Sequence, residues 1–385
     1  MASFTFRRRY AVARALALVA AVALSAAACD HNPSLSWEGP PAEPRNLILF
    51  IGDGMGQGQI MAGESYLGRA PNFVAFPIHT RLATAAADSA VTDSAAAATA
   101  LATGHKVNNG VIAVALPGDG SPLATMLESV AAGGRWTGLA TSSFVTDATP
   151  AAFAAHQASR NSYAAIAADI FGAAKPNLVL GGGGDAAAAA TANRTLAAAS
   201  GYAVVSDLAG LNAAAVPDPA APVAFHLAGL FGNGILPYEN AAVGPHAAGL
   251  PDLADLTRES LRRLEAAPNG FFLMVEGGLI DKAAHANNAA LMVGEVAALD
   301  RAVAVAVAWA ADRTDTLIIV TADHETGGIN YVGYQPVGVA GVVPGISWTT
   351  TGHTSSPVDL YAKGSGAERL AGLIDNSQLR AALYP

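Results

Sequence analysis

Three apolar runs of the chain end in acids. NLILFIGD (46–53) ends in Asp53, FFLMVEGG (271–278) carries Glu276, and TLIIVTADHE (316–325) ends in Asp323, His324 and Glu325. Carboxylates brought to one place repel one another and resist ionisation. A divalent cation is the simplest means of keeping them charged. IDKAAHAN (280–287) sets Asp281 and His285 four residues apart, on one face of a helix. An oxygen and a nitrogen ligand at that spacing make a workable half-site for zinc. Asp323-His324 is a second such pair. His353, in TTGHTSS, stands alone among small residues and by itself carries no assignment.

Ser94 lies in VTDSAAAATALATGHK (91–106), behind an aspartate and ahead of an alanine run. It reads either as the N-cap of an alanine-rich helix or as a nucleophile at a helix N-terminus. Arg160, in AAHQASRNSY, follows Asp147 and Thr149 of TDATPAA and is expected in a helix begun by Pro150. It is either a solvated helix arginine or a guanidinium fork for two phosphate oxygens. GDGMGQG (52–58) is no dinucleotide fingerprint: Gln57 stands where the third glycine belongs, and Asp53 would aim a negative charge at the phosphates.

The elements that must position these groups follow from the apolar runs. Together with TGLATSS (137–143) and NLVLGGGG (177–184), they are short and continuous, as strands buried on both faces are. They alternate with alanine-rich stretches. The pattern predicts an α/β fold, a three-layer αβα sandwich with a mostly parallel central sheet. In such sheets, sites form beyond the carboxyl ends of the strands, where the acids lie. Residues 186–246 are expected to be peripheral helices and loops, and 331–351 a long coil. With 52% hydrophobic and 13% charged residues, the 385-residue chain can bury a large core. Its net charge of −9 argues against electrostatic nucleic-acid binding. A phosphate-handling site would need local Arg, Lys or metal.

Residues 1–29 read as an export signal, with Arg7, Arg8 and Arg9 before an apolar stretch (15–24) too short to span a membrane. The arginines hint at twin-arginine export. LSAAAC is similar to the lipobox of bacterial lipoproteins, which would make Cys29 a lipidated first residue; cleavage at an Ala-x-Ala site would leave it incidental. As the only cysteine, it allows no intramolecular disulfide. Residues 30–45 form a proline-rich polar linker and 46–385 a single domain. The expected location is periplasmic or membrane-anchored, with membrane contact only through Cys29.

Six ordered blocks resemble the alkaline phosphatases: LILFIGDGMG, VTDSAAAATA, TDATPAAFAAHQASR, FFLMVEGGLIDKAAH, VTADHETGG and TGHTSSPVDLYAKG. The resemblance implies two zinc ions, one held by Asp281, His285 and His353 and one by Asp53, Asp323 and His324. It implies one magnesium held by Asp53, Thr149 and Glu276, with Asp147 acting through water. Ser94 would be the nucleophile, with the helix N-terminus favouring negative charge there. Arg160 would be the phosphate clamp, and Lys282 would reach phosphate through water. The implied reaction is hydrolysis of small-molecule phosphate monoesters in two in-line steps through a phosphoserine, with retention at phosphorus. A homodimer stays open, since 331–351 leaves little room for the insertions some members carry. A phosphodiesterase of the same superfamily is the near alternative, and a non-catalytic metal- or phosphate-binding lipoprotein the distant one. A sulfatase is excluded, because Ser94 is followed by three alanines rather than the C/S-x-P-x-R pattern.

Overall fold

The apolar runs are of strand length, and pairing side by side in a sheet lets them bury both faces while satisfying their backbone N–H and C=O groups. A computed structural model describes residues 43–239, 249–330 and 340–384. Residues 1–29, Cys29 and most of the linker therefore lie outside the described residues. The large strands are β1 (Asn46–Gly52), β2 (Ile78–Leu82), β3 (Trp136–Phe144), β4 (Leu178–Gly182), β5 (Ala203–Val205), β6 (Leu227–Phe231), β7 (Phe271–Gly277) and β8 (Thr316–Thr321). Four two-residue strands follow: β9 (Glu325–Thr326), β10 (Ile329–Asn330), β11 (Ser347–Trp348) and β12 (His353–Thr354). β13 (Val358–Gly364) returns to the main sheet.

The main sheet has nine strands in the order β2-β13-β8-β1-β7-β3-β4-β6-β5. Only β13 runs against the others. Every residue of β1, β3, β4, β6, β7 and β8 is buried. Helices Leu253–Leu264 and Ala289–Trp309 pack on one another and against the sheet; helix Gln57–Leu67 lies on the latter. Helices Ser94–Thr103, Met126–Ala132 and Ala148–Ala154 form the second helical group, with Phe153 stacked 5.8 Å from Phe272 of β7. The architecture is the αβα sandwich that the alternation predicts.

Three local expectations need correction. Residues 186–246 are not merely peripheral: they supply β5 and β6, two strands of the main sheet. AVV and LAGLF are too short, and the latter too glycine-broken, to stand out by periodicity. Arg160 is not helical, because the helix begun near Pro150 ends at Ala154. Residues 340–351 hold β11, paired with β10, while 331–339 of the expected coil lie outside the described residues. Among the described residues, no helix is long and apolar enough to cross a membrane. The last linker residues are tied to the domain. Arg45 donates to the Pro268 carbonyl at 2.8 Å, and Glu43 lies 3.7 Å from Arg135.

Candidate active site

Two clusters form at the carboxyl edge of the sheet. Helix Leu279–His285 follows β7 and carries Asp281 and His285 on one face, Asp281 Oδ2 lying 3.2 Å from His285 Nε2. His353 arrives from far along the chain because β12 pairs with β9, in register with Thr326. Its Nε2 lies 3.1 Å from His285 Nε2 and 3.5 Å from Asp281 Oδ1. The second cluster joins the ends of neighbouring strands β1 and β8. His324 Nε2 lies 3.5 Å from Asp53 Oδ1 and 3.3 Å from Asp323 Oδ2. In each cluster, the three ligand-type atoms lie within 4.8 Å of one another. The His324 and His353 rings stack at 3.6 Å, so the clusters are adjacent.

The electrostatics suit cations. Burial, then Asp323, Asp281 and Glu276, push Asp53 well above the usual carboxylate range. Burial holds His324 below the ordinary histidine value, leaving a neutral ring able to ligate. Burial would raise Asp281 too, but His285 and His353 outweigh it and keep Asp281 well below its ordinary value. Asp53 Oδ1 and Asp323 Oδ2 are buried without a hydrogen-bond partner. Such atoms are costly unless something meets them, and these residues fit a zinc pair.

The turn that delivers Asp53 depends on glycine. Gly54 has φ +70°, and a Cβ there would come within 2.8 Å of Thr326 Oγ1 and 3.0 Å of Asp281 Oδ1. Its N–H donates to Asp323 Oδ1 at 3.1 Å. GDGMG is thus a turn packed against both clusters and not a phosphate cradle.

The third expected set is oxygen-only. Glu276 ends the apolar part of β7, paired across the sheet with Thr141 of β3 and Ile51 of β1. Burial, then Asp147, push Glu276 up to about 8. Thr141 donates to its Oε2, while Glu276 Oε1 and Thr149 Oγ1 stay buried and unpartnered. Orphaned oxygens of this type suit a hard ion such as magnesium. Asp147 is drawn off: its carboxylate accepts from Ser143 Oγ (2.6 Å), Lys282 Nζ (3.0 Å), Arg160 (3.3 Å) and the Ala148 N–H (2.8 Å). Burial would raise Asp147, but Lys282 and Arg160 hold it below its ordinary value.

Ser94 is not the N-cap. Asp93 caps the helix, accepting from the Ala96 N–H at 3.0 Å, and Ser94 is the first helical residue. Its hydroxyl is therefore free of capping and lies 3.2 Å from His324 Nε2, buried at the helix N-terminus. Asp93 also anchors Arg160, whose Nη1 donates to Asp93 Oδ2 at 3.1 Å. One loop holds this assembly. Asn109 Oδ1 accepts from the Asp93 N–H (2.9 Å), the Gly110 N–H donates to Asp93 Oδ1 (3.0 Å), and Arg160 N–H donates to the Gly110 carbonyl (2.7 Å). Lys282 sits 5.8 Å from the centre of the Phe144 ring. Arg160 and Lys282 are both ion-paired to Asp147, which holds the two cations side by side.

Sequence reasoning missed the roles of Asp93, Asn109 and Thr326. Thr326 carries no sequence signal of its own; only the fold places its hydroxyl beside Asp281 and His324. Glu325 behaves differently from the acids beside it. Its carboxylate accepts from Gln59, Thr354 and the Gly328 and Ile329 N–H groups.

Comparison with known proteins places the family and the fold. A sequence model of the family described as alkaline phosphatase matches residues 44–345, stopping short of His353. Streptomycin-6-phosphate phosphatase of Streptomyces griseus is 36% identical, covering 88% of this chain and 89% of its own length. Alkaline phosphatase H of Pseudomonas aeruginosa is 33% identical, covering 92% and 83%. The solved alkaline phosphatase of the Antarctic bacterium TAB5 superposes with a TM-score of 0.76 at 27% identity, covering 89% of this chain and 98% of that one.

Proposed function

The chain belongs to the alkaline phosphatase family and is a phosphatase, and from that premise we propose that it hydrolyses phosphate monoesters through a covalent phosphoserine on Ser94. The observation that carries this reading is Ser94 Oγ, 3.2 Å from His324 Nε2, whose ring stacks on that of His353 in the neighbouring cluster. Asp281, His285 and His353 would hold one zinc, Asp53, Asp323 and His324 the other, and Asp53, Thr149 and Glu276 magnesium. Bound there, the ions would supply Lewis-acid neutralisation of charge on the attacking and leaving oxygens.

The chain's own groups do the rest. The Ser94 oxygen attacks phosphorus in line, the bond to the ester oxygen breaks, and the alcohol leaves with a proton. Water then attacks the phosphoserine, releasing inorganic phosphate and restoring the Ser94 hydroxyl. The helix N-terminus favours the negative charge that Ser94 acquires. Arg160, fixed by Asp93 and Asp147, holds two non-bridging oxygens. Lys282, fixed by Asp147, adds charge at longer range. Catalysis is mainly positioning and charge stabilisation.

The relative that acts on streptomycin-6-phosphate supports a small-molecule phosphate as substrate. The basic and apolar pattern of residues 1–29 supports export, with lipid attachment at Cys29 part of the same proposal. The test is hydrolysis of a chromogenic monoester and its diester by the zinc- and magnesium-loaded protein, before and after chelation. Monoester turnover lost on chelation and restored by both metals is expected. Dominant diester turnover would reassign the enzyme, and full metal loading without turnover would leave a binding protein.

A further inference from the structure

Thr326 lies between the two clusters and belongs to neither. Its backbone is the register partner of His353, and its N–H donates to the Gly54 carbonyl at 3.2 Å, one residue from Asp53. Its buried hydroxyl donates to Asp281 Oδ1 at 2.6 Å and lies 3.2 Å from His324 Nδ1. A hydroxyl has one proton to give. The short bond to a carboxylate, which only accepts, takes that proton. His324 Nδ1 must therefore be the donor in the second bond. The tautomer follows: Nδ1 carries the hydrogen, and Nε2 is left as the lone-pair nitrogen facing Ser94, Asp53 and Asp323.

We infer that Thr326 is a positioning residue that orients one ligand of each cluster through a single hydroxyl, so that zinc binding at both clusters depends on it. The inference rests on the metal-site reading above. Thr326 has little freedom to do otherwise. Gly54 packs against its hydroxyl with no room for a Cβ, and Gln59 Nε2 donates to its carbonyl at 2.5 Å. Partners that orient metal ligands in this way typically tune affinity by about 10- to 100-fold.

The test is competitive zinc titration of the full chain as wild type, Thr326→Ser and Thr326→Val, with thermal unfolding of each metal-free protein as the check on folding. Valine keeps the shape and loses the hydroxyl; serine keeps the hydroxyl and loses the methyl. The valine variant should bind zinc about 10- to 100-fold more weakly at both clusters, and the serine variant within about threefold of wild type. Unchanged affinity in the valine variant, a loss confined to one cluster, or a serine variant as weak as valine would overturn the inference. Should the valine variant not fold, long-range ¹H–¹⁵N correlation on metal-free wild type decides: Nδ1–H is expected at His324, and Nε2–H overturns the assignment. A wild type that takes up fewer than two zinc ions would instead sink the metal-site reading, and the inference with it.

Discussion

Replacing Arg160 by alanine should separate monoesters from diesters. The guanidinium is anchored through Nη1 to Asp93 (3.1 Å) and Nη2 to Asp147 (3.3 Å). Two of its five N–H groups are committed, and three remain for a ligand. A hydrogen bond to a charged group contributes about 1.5–3 kcal/mol, so a fork on two phosphate oxygens contributes about 3–6 kcal/mol. That corresponds to a loss of roughly 10²–10⁴ in kcat/KM for a monoester. A diester has one oxygen alkylated and carries one charge fewer, and its loss should be smaller by about tenfold or more. Folding should survive, since Asp147 keeps Lys282 and Ser143, and partly exposed ion pairs are worth about 1 kcal/mol or less. The assay is kcat/KM for matched chromogenic esters with thermal unfolding as control. Equal losses on both esters, or a monoester loss under about tenfold, would refute the assignment of the clamp.

Three further outcomes are expected. Zinc should raise the unfolding temperature of the metal-free protein, since a ligand at about 100 times its dissociation constant stabilises by about 2.7 kcal/mol per site; calorimetry that shows no shift argues against preformed sites. Burial outweighs the Glu239 N–H bond that favours the carboxylate and, with the Glu239 charge, pushes Glu295 up to about 8, so the native state binds this proton more tightly than the unfolded chain does. Stability from that proton is fully present below about pH 4.5 and lost as pH rises through 8, up to about 5 kcal/mol. Glu295→Gln should flatten that stretch of the stability–pH curve, and a variant curve parallel to wild type would contradict the burial argument. Asp252 caps helix Leu253–Leu264 in a reciprocal box with Asp255, so Asp252→Ala should cost about 1 kcal/mol of stability by denaturant melt and leave kcat unchanged.

The central strands were legible because burial on both faces demands continuous apolar runs, which β1, β7 and β8 have. Their terminal acids pointed to the site for the same reason: an acid ends a buried strand only where something awaits it. β5 was not legible because it is only three residues long, and β6 because LAGLF has no β-branched residue and a glycine at its centre. Asp281 and His285 could be paired from helical spacing alone. His353 could not, since only the β9–β12 pairing brings it in. Ser94 as a cap was a plausible misreading, because Asp93 and Ser94 are both good caps and the choice between them lies in one N–H bond. Thr326 escaped notice because a threonine in a strand carries no chemistry until its hydroxyl is seen between two ligands.

The most direct measurement is an acid quench of the metal-loaded protein during turnover of a phosphate-labelled monoester, followed by peptide mapping. Label on the peptide that carries Ser94, absent in Ser94→Ala, is the expected result. Steady turnover with no label on that serine at any pH, or full activity in Ser94→Ala, would contradict a phosphoserine route.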